Sequence, residues 1–106
     1  HILPMFRGIL STIYLNYKSK SNLNKIDNEL RRYYMKDKFI KIFKNKALST
    51  NDVINTNNCQ ISVCKSKDKK RLIILSSIDN LIKGGAGQAV QNLNFIYNFK
   101  FNEGLK

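Results

Sequence analysis

The sequence predicts a mixed α+β fold, and three patterns carry that expectation. Residues 8–17 (GILSTIYLNY) are rich in β-branched and aromatic side chains, with Ile9, Ser11, Ile13, Leu15 and Tyr17 alternating to one side, as in a strand. Ile26, Leu30, Tyr33 and Tyr34 are spaced as one face of a helix. Residues 59–65 (CQISVCK) and 71–78 (RLIILSSI), joined by the charged run 66–70, read as a hairpin with Ile61 and Val63 on one face.

The remaining elements follow in order. Residues 18–24 are polar and predict a loop. Asn24 or Asp27 is placed to cap the first helix, and Arg31, Arg32 and Lys36 suit its later turns, where the helix dipole favours cations. The stretch 38–44 (KFIKIFK) allows a continued helix or a short strand. The strand is preferred, because Lys36 and Asp37 read as a break and Ile40 and Ile42 then face a core. Residues 45–58 predict a long polar loop. The second hairpin strand is apolar on both faces at its start, which requires cover on both sides, and so short a chain has difficulty supplying that alone. The last element begins at Asp79 and Asn80. Lys83-Gly84-Gly85-Ala86-Gly87 leads into a helix over 88–97, with Ala89, Leu93, Ile96 and Tyr97 at helical spacing. Gly-rich backbone at a helix start is expected to present free N–H groups and the positive dipole end. The tail, 98–106, is expected to be peripheral.

Length and composition bound the function. The chain has 106 residues, one domain or part of one, with 42% apolar content, enough for a single modest core. No run of about 18 apolar residues exists, so a membrane-spanning helix is not expected, and no secretory signal is visible. The first residue is His1, which suggests a processed product, an excised domain or a fragment. Two cysteines are too few for a disulfide framework, so a reduced, cytoplasmic protein is expected. The net charge of +12 invites a polyanion partner. Yet 15 of the 19 basic residues are Lys, and Lys, Asn and Ile together fill 42 positions. All three have A/T-rich codons, and the Lys are scattered apart from Lys65, Lys67, Lys69 and Lys70. A nucleic-acid partner is therefore not expected.

Few constellations carry chemistry. Cys59 and Cys64, with one His in the chain, cannot make a tetrahedral zinc set, and no metal is expected. Both cysteines read as strand residues, where an apolar setting raises a thiol pKa. His1, Pro4 and Arg7 cluster near the start. His suits acid–base work and Arg suits a carboxylate or phosphate, but on the residues alone a terminal His and a surface Arg are the stronger reading. Residues 83–91 (KGGAGQAVQ) match neither the Walker A loop nor the dinucleotide fingerprint, whose third glycine is missing. Tight packing of the turn and a ligand contact both remain open.

Four segments resemble one family. Residues 78–99 (IDNLIKGGAGQAVQNLNFIYNF) resemble the C-terminal V-I-D-N-L-V-K-G-A-x-G-Q-A-V-Q-N-M-N pattern of the N-acetyl-gamma-glutamyl-phosphate reductase family. Residues 1–14 (HILPMFRGILSTIY) resemble its P-H-L-x-P-M-x-R-G-I-x-x-T-I-Y. RRYYMKDKFIKI resembles its F-Y-x-x-x-x-F-V stretch, and VINTNNCQISV its V-x-G-T/S-N-x-C-x-I. Order and spacing agree along essentially the whole chain. Two local departures are Asn55 where Gly is usual and Gly85 where Ala is usual.

The resemblance implies the latter part of a glyceraldehyde-phosphate dehydrogenase-like C-terminal domain, an α+β fold with a largely antiparallel sheet and helices on one face. Residues 1–106 would be a partial catalytic and substrate domain, roughly the last third of an enzyme, without the NADP-binding Rossmann domain. The family reduces N-acetyl-gamma-glutamyl phosphate to N-acetylglutamate 5-semialdehyde with NADPH in arginine biosynthesis, by way of a cysteine thioester. That nucleophile would lie ahead of residue 1, since Cys59 matches a non-catalytic strand position, so no catalytic residue is expected in this chain. His1 and Arg7 would meet the acyl-phosphate substrate. Lys83, Gly84, Gly85 and Gln88 would meet NADP, with the Gln88 amide against the nicotinamide carboxamide. The complete enzyme would be a homo-oligomer. The alternatives are an inactive structural fragment of a split or degraded gene and, less favoured, a basic nucleic-acid-binding module.

Overall fold

The computed structural model describes residues 4–16, 23–67 and 71–106. His1, Tyr17, most of the expected loop at 18–24, and Lys69 and Lys70 lie outside the described residues. The elements are strand β1 (Ile9–Asn16), helix α1 (Leu23–Tyr34), β2 (Ile40–Lys44), β3 (Cys59–Lys65), β4 (Arg71–Ile78), a π-helical turn (Ile82–Ala86) and helix α2 (Gly87–Ile96). The four strands form one sheet in the order β1-β4-β3-β2. β1 and β3 both run antiparallel to β4, and β2 runs parallel to β3. The strand reading of 38–44 and the hairpin are both present in this sheet.

The register assigns each strand face. Val63 pairs with Ile74 and Lys65 with Leu72, which puts Val63, Leu72 and Ile74 on one face. α1 lies over β2 and β3 on that face, and Leu23 with Ile26 and Leu30 closes a small core against Val63, Leu72 and Ile74. These helical residues recur at the spacing that defines one helix face, so burying them requires the helix. α1 starts at Leu23, which places Asp27 a full turn inside rather than at the cap. There it is buried and takes a two-pronged contact from Arg31, Nε at 2.9 Å and Nη2 at 3.3 Å.

The polar stretch 45–58 is a loop, as expected, with one 3-10 turn at Thr50–Asp52. It folds back across the other face of the sheet and buries Leu48, Thr50, Val53 and Asn57. Ser62 and Ser77, both fully buried, are small enough to admit its backbone. Ser62 Oγ accepts from the Lys46 N–H at 3.1 Å, and Ser77 Oγ donates to the Ser49 carbonyl at 3.2 Å. Gly8 has φ +110°, a region closed to most side chains, and a Cβ there would lie 2.8 Å from Thr50 Cβ. β1 therefore starts pressed against this folded loop.

The tail lies at the surface, as expected, but is tied back to the fold. The Asn57 N–H donates to the Lys106 carbonyl at 3.0 Å, and Asn94 Nδ2 donates to the Glu103 carbonyl at 3.0 Å. The Phe39 and Phe101 rings meet at 6.5 Å. Chain beyond α2 thus returns to satisfy a buried strand-lead backbone group, which sequence polarity alone does not reveal.

Candidate functional site

β1, β4, the 45–58 loop and the lead-in to α2 meet at one corner, and Asp79 is its hub. Its side chain is fully buried at the end of β4. Oδ2 accepts from the Asn55 N–H at 2.8 Å and from Arg7 Nη1 at 3.2 Å. Oδ1 accepts from the N–H groups of Leu81 at 2.9 Å and Ile82 at 3.2 Å. The carboxylate thus caps the start of the helical stretch, where orphan N–H groups and the dipole favour an anion. Burial alone would push the Asp79 carboxyl up. The three backbone donors and the Arg7 guanidinium outweigh that and hold it below its ordinary value.

Arg7 is placed by this hub. Its Nη1 also donates to Asn55 Oδ1 at 2.8 Å, and the guanidinium lies 5.9 Å from the Phe6 ring centre. It lines a surface pocket of about 470 Å³ with Met5, Phe6, Thr50, Asn51, Ile54 and Asn55. Asn55 has φ +61°. Asn is among the few residues besides Gly that adopt this left-handed conformation readily, which accounts for its standing where the resembled pattern has Gly. His1 lies outside the described residues.

The Gly-rich segment differs from its expectation. Residues 82–86 are already helical, as a π turn, and Gly85 (φ −140°, ψ −110°) makes the kink between that turn and α2. The N–H groups of Gly84 and Ala86 bond the carbonyls of Asp79 and Leu81, at 3.1 and 3.0 Å, and that of Gly87 bonds Ile82. These groups are therefore spent within the chain rather than free for an anion. The close approach falls at Gly87, not at Gly84 or Gly85, which are exposed. A Cβ on Gly87 would lie 2.2 Å from Asn57 Oδ1 and 2.8 Å from the Ile82 carbonyl oxygen.

Gln88 is exposed on the first turn of α2, and its Nε2 donates to Asn92 Oδ1 at 3.2 Å. Lys83 Nζ donates to Gln91 Oε1 and sits 5.9 Å from the Phe39 ring centre. Asp79 and Asn55 are named in the sequence reading only as the start of the last element and as a departure from the resembled pattern, and Asn57 and Gln91 are not singled out there. An Asp three residues ahead of a helical stretch is a cap signal that identifies Asp79.

Cys59 lies on β3 beside Ser76, with Sγ and Oγ 3.7 Å apart. Burial pushes its thiol up, more than Ser76 and the Lys83 charge bring it down, and Asp37 adds to the rise. Cys64 is a free strand residue as well. Among the described residues no three His, Cys, Asp or Glu groups gather as a metal site, and no helix is long and apolar enough to cross a membrane.

This architecture defines a class. A family model described as semialdehyde dehydrogenase, dimerisation domain, matches residues 1–80, and the chain belongs to that family. The fold agrees with aspartate semialdehyde dehydrogenase II of Vibrio cholerae, solved in complex with ASA, at a TM-score of 0.66 and 15% identity, over 91% of this chain and 29% of that one. Within the class, the chain is similar to N-acetyl-gamma-glutamyl-phosphate reductase of Clostridium botulinum (strain Eklund 17B / Type B), 46% identical over 106 residues. That match covers 99% of this chain and 31% of the relative. The Staphylococcus aureus (strain MRSA252) protein of the same name is 38% identical over 107 residues, covering 100% and 31%. The chain thus spans about a third of the length of the curated relatives it matches.

Proposed function

We propose that this chain is the C-terminal portion of an NADPH-dependent reductase that converts N-acetyl-gamma-glutamyl phosphate to N-acetylglutamate 5-semialdehyde, in arginine biosynthesis. The observation that carries this reading is the 46% identity sustained across 99% of the chain with a relative of that name. The nucleophile and the nucleotide-binding domain belong to the part of the protein preceding this chain, which accords with a Cys59 thiol held high by burial.

The chain's own residues then position ligands. Arg7 meets an anionic group of the substrate from the pocket rim, with its guanidinium held in place by Asp79 and Asn55. His1 is assigned to the substrate by the resemblance alone. Gln88 fits a nicotinamide carboxamide, since an exposed side-chain amide both donates and accepts. The exposed glycines Gly84 and Gly85 keep the surface beside it free of side chains, and Lys83 adds positive charge. NADPH, when bound, supplies the hydride. The complete protein acts as a homo-oligomer in the cytoplasm.

The test uses a complete reductase in which this chain replaces the matching 31% of the Clostridium botulinum relative. Arg7→Ala raises KM for the acyl phosphate about tenfold or more and leaves KM for NADPH near its starting value. Gln88→Ala does the reverse, with acylation of the nucleophile intact. Unchanged constants in both variants, or acylation lost on Gln88→Ala with cofactor affinity unaltered, reject the assignment.

A further inference from the structure

α2 is built inside out. Its buried residues are Gly87, Gln91 and Asn94, while Val90, Leu93, Ile96 and Tyr97 are exposed. The residues that hold this helix to the rest of the fold are therefore amides rather than apolar groups. Asn57, fully buried just before β3, donates through Nδ2 to Gln91 Oε1 at 2.9 Å. Lys83 Nζ donates to the same oxygen and so fixes which way the Gln91 amide faces. Two buried atoms, Asn57 Oδ1 and Gln91 Nε2, find no partner among the described residues. An apolar pair would avoid that cost, so the amides are kept at a loss of stability. Gly87 completes the joint, because any side chain there would strike Asn57.

We infer that Asn57, Gln91 and Lys83, with Gly87, form a positioning device that fixes the first turn of α2 and thereby sets where the Gln88 amide stands. Gly87 directly precedes Gln88, and Gln91 lies one turn beyond Gly87, so the joint grips α2 on both sides of Gln88. A hydrogen-bonded joint fixes both the rotation of the helix about its axis and its height along the axis. An apolar contact is non-directional and leaves sliding cheap. Asn57 acts through Gln88 and touches no ligand. The inference rests on the cofactor role given to Gln88 above.

A double-mutant cycle in the same complete reductase separates the two claims. Asn57→Ala raises KM for NADPH about fivefold, the loss of roughly one amide hydrogen bond. In a Gln88→Ala background the same change adds less than about twofold, because the group that Asn57 positions is already gone. Gln91→Met, which lacks the acceptor, behaves like Asn57→Ala. Gln91→Glu keeps an oxygen for both Asn57 and Lys83 and is clearly less impaired than Gln91→Met, the remaining rise in KM for NADPH reflecting the Lys83 charge that the carboxylate neutralises. Equal fivefold effects with and without Gln88, or a Gln91→Glu variant as impaired as Gln91→Met, overturn the positioning device. If Gln88→Ala itself leaves KM for NADPH unchanged, the cofactor reading fails first, and the positioning claim falls with it.

Discussion

Asp79 concentrates more of the fold's polar contacts than any neighbour at its corner. One carboxylate joins β1 through Arg7, the 45–58 loop through Asn55, and the helical lead-in through Leu81 and Ile82. Asp79→Ala strands those donors and costs about 3 kcal/mol or more of stability, measured by chemical unfolding. Its folded pKa lies below the ordinary value of 3.8. The unfolded chain therefore takes up the proton first as pH falls. The carboxylate's contribution is complete above about pH 5 and is lost as the pH drops through the folded value. Unfolding followed from pH 7 to pH 3 should show stability falling with acid, with the slope reduced in Asp79→Asn. At Asn55 the backbone is left-handed. Asn55→Ala costs about 1–2 kcal/mol by strain at that position, whereas Asn55→Gly removes the strain and falls within about 0.5 kcal/mol of the parent. Equal losses for Ala and Gly would show that the side-chain bond to Arg7, rather than backbone conformation, keeps Asn at 55.

The elements differ in how they hold together. The 45–58 stretch is anchored by Val53, fully buried, and by serine contacts to the sheet. Val53→Ala should cost about 2 kcal/mol in thermal or chemical unfolding; a surface-like cost under about 0.5 kcal/mol would mean that the segment does not pack on the sheet. The periodic segments were legible in the sequence. Ile40 and Ile42, Ile61 and Val63, and the apolar start of β4 each mark a strand, and Ile26 and Leu30 mark the buried face of α1. The pairing of β1 with β4 and the parallel pairing of β2 with β3 were not, because they join residues far apart in the chain and leave no local period. The 45–58 stretch is the loop its polar composition predicts, but its packing was not legible, because what seats it is the small size of Ser62 and Ser77 on the sheet beneath. For α2, the apolar spacing that identifies the helix marks its exposed side. Arg7 stood as one candidate in its own cluster, and only the resemblance favoured it as a site residue. Nothing in its own neighbourhood of the sequence points to Asp79, 72 residues away.

At the scale of the whole molecule, large apolar side chains lie open at several points among the described residues, β1 and α2 included. Leu10, Ile13 and Tyr14 are exposed on β1, and Phe95, Ile96, Tyr97 and Phe99 on α2 and the segment after it. Such area on one small chain marks contact surfaces, in keeping with membership of a dimerisation-domain family. The 106-residue chain on its own should therefore self-associate, with sedimentation velocity showing dimers or larger species at micromolar concentration. A monodisperse monomer with a cooperative transition well above about 65 °C would argue that these surfaces need no cover. The proposed function makes this chain a working piece of an acyl-phosphate reductase. Its most direct test is the rate of NADPH consumption with N-acetyl-gamma-glutamyl phosphate, measured for the complete reductase that carries this chain in place of the matching part of the Clostridium botulinum relative. The expected rate is within about tenfold of that relative's own, a difference of about 1.4 kcal/mol in barrier, with none from the 106 residues alone. A folded, homogeneous hybrid that consumes no NADPH would contradict it.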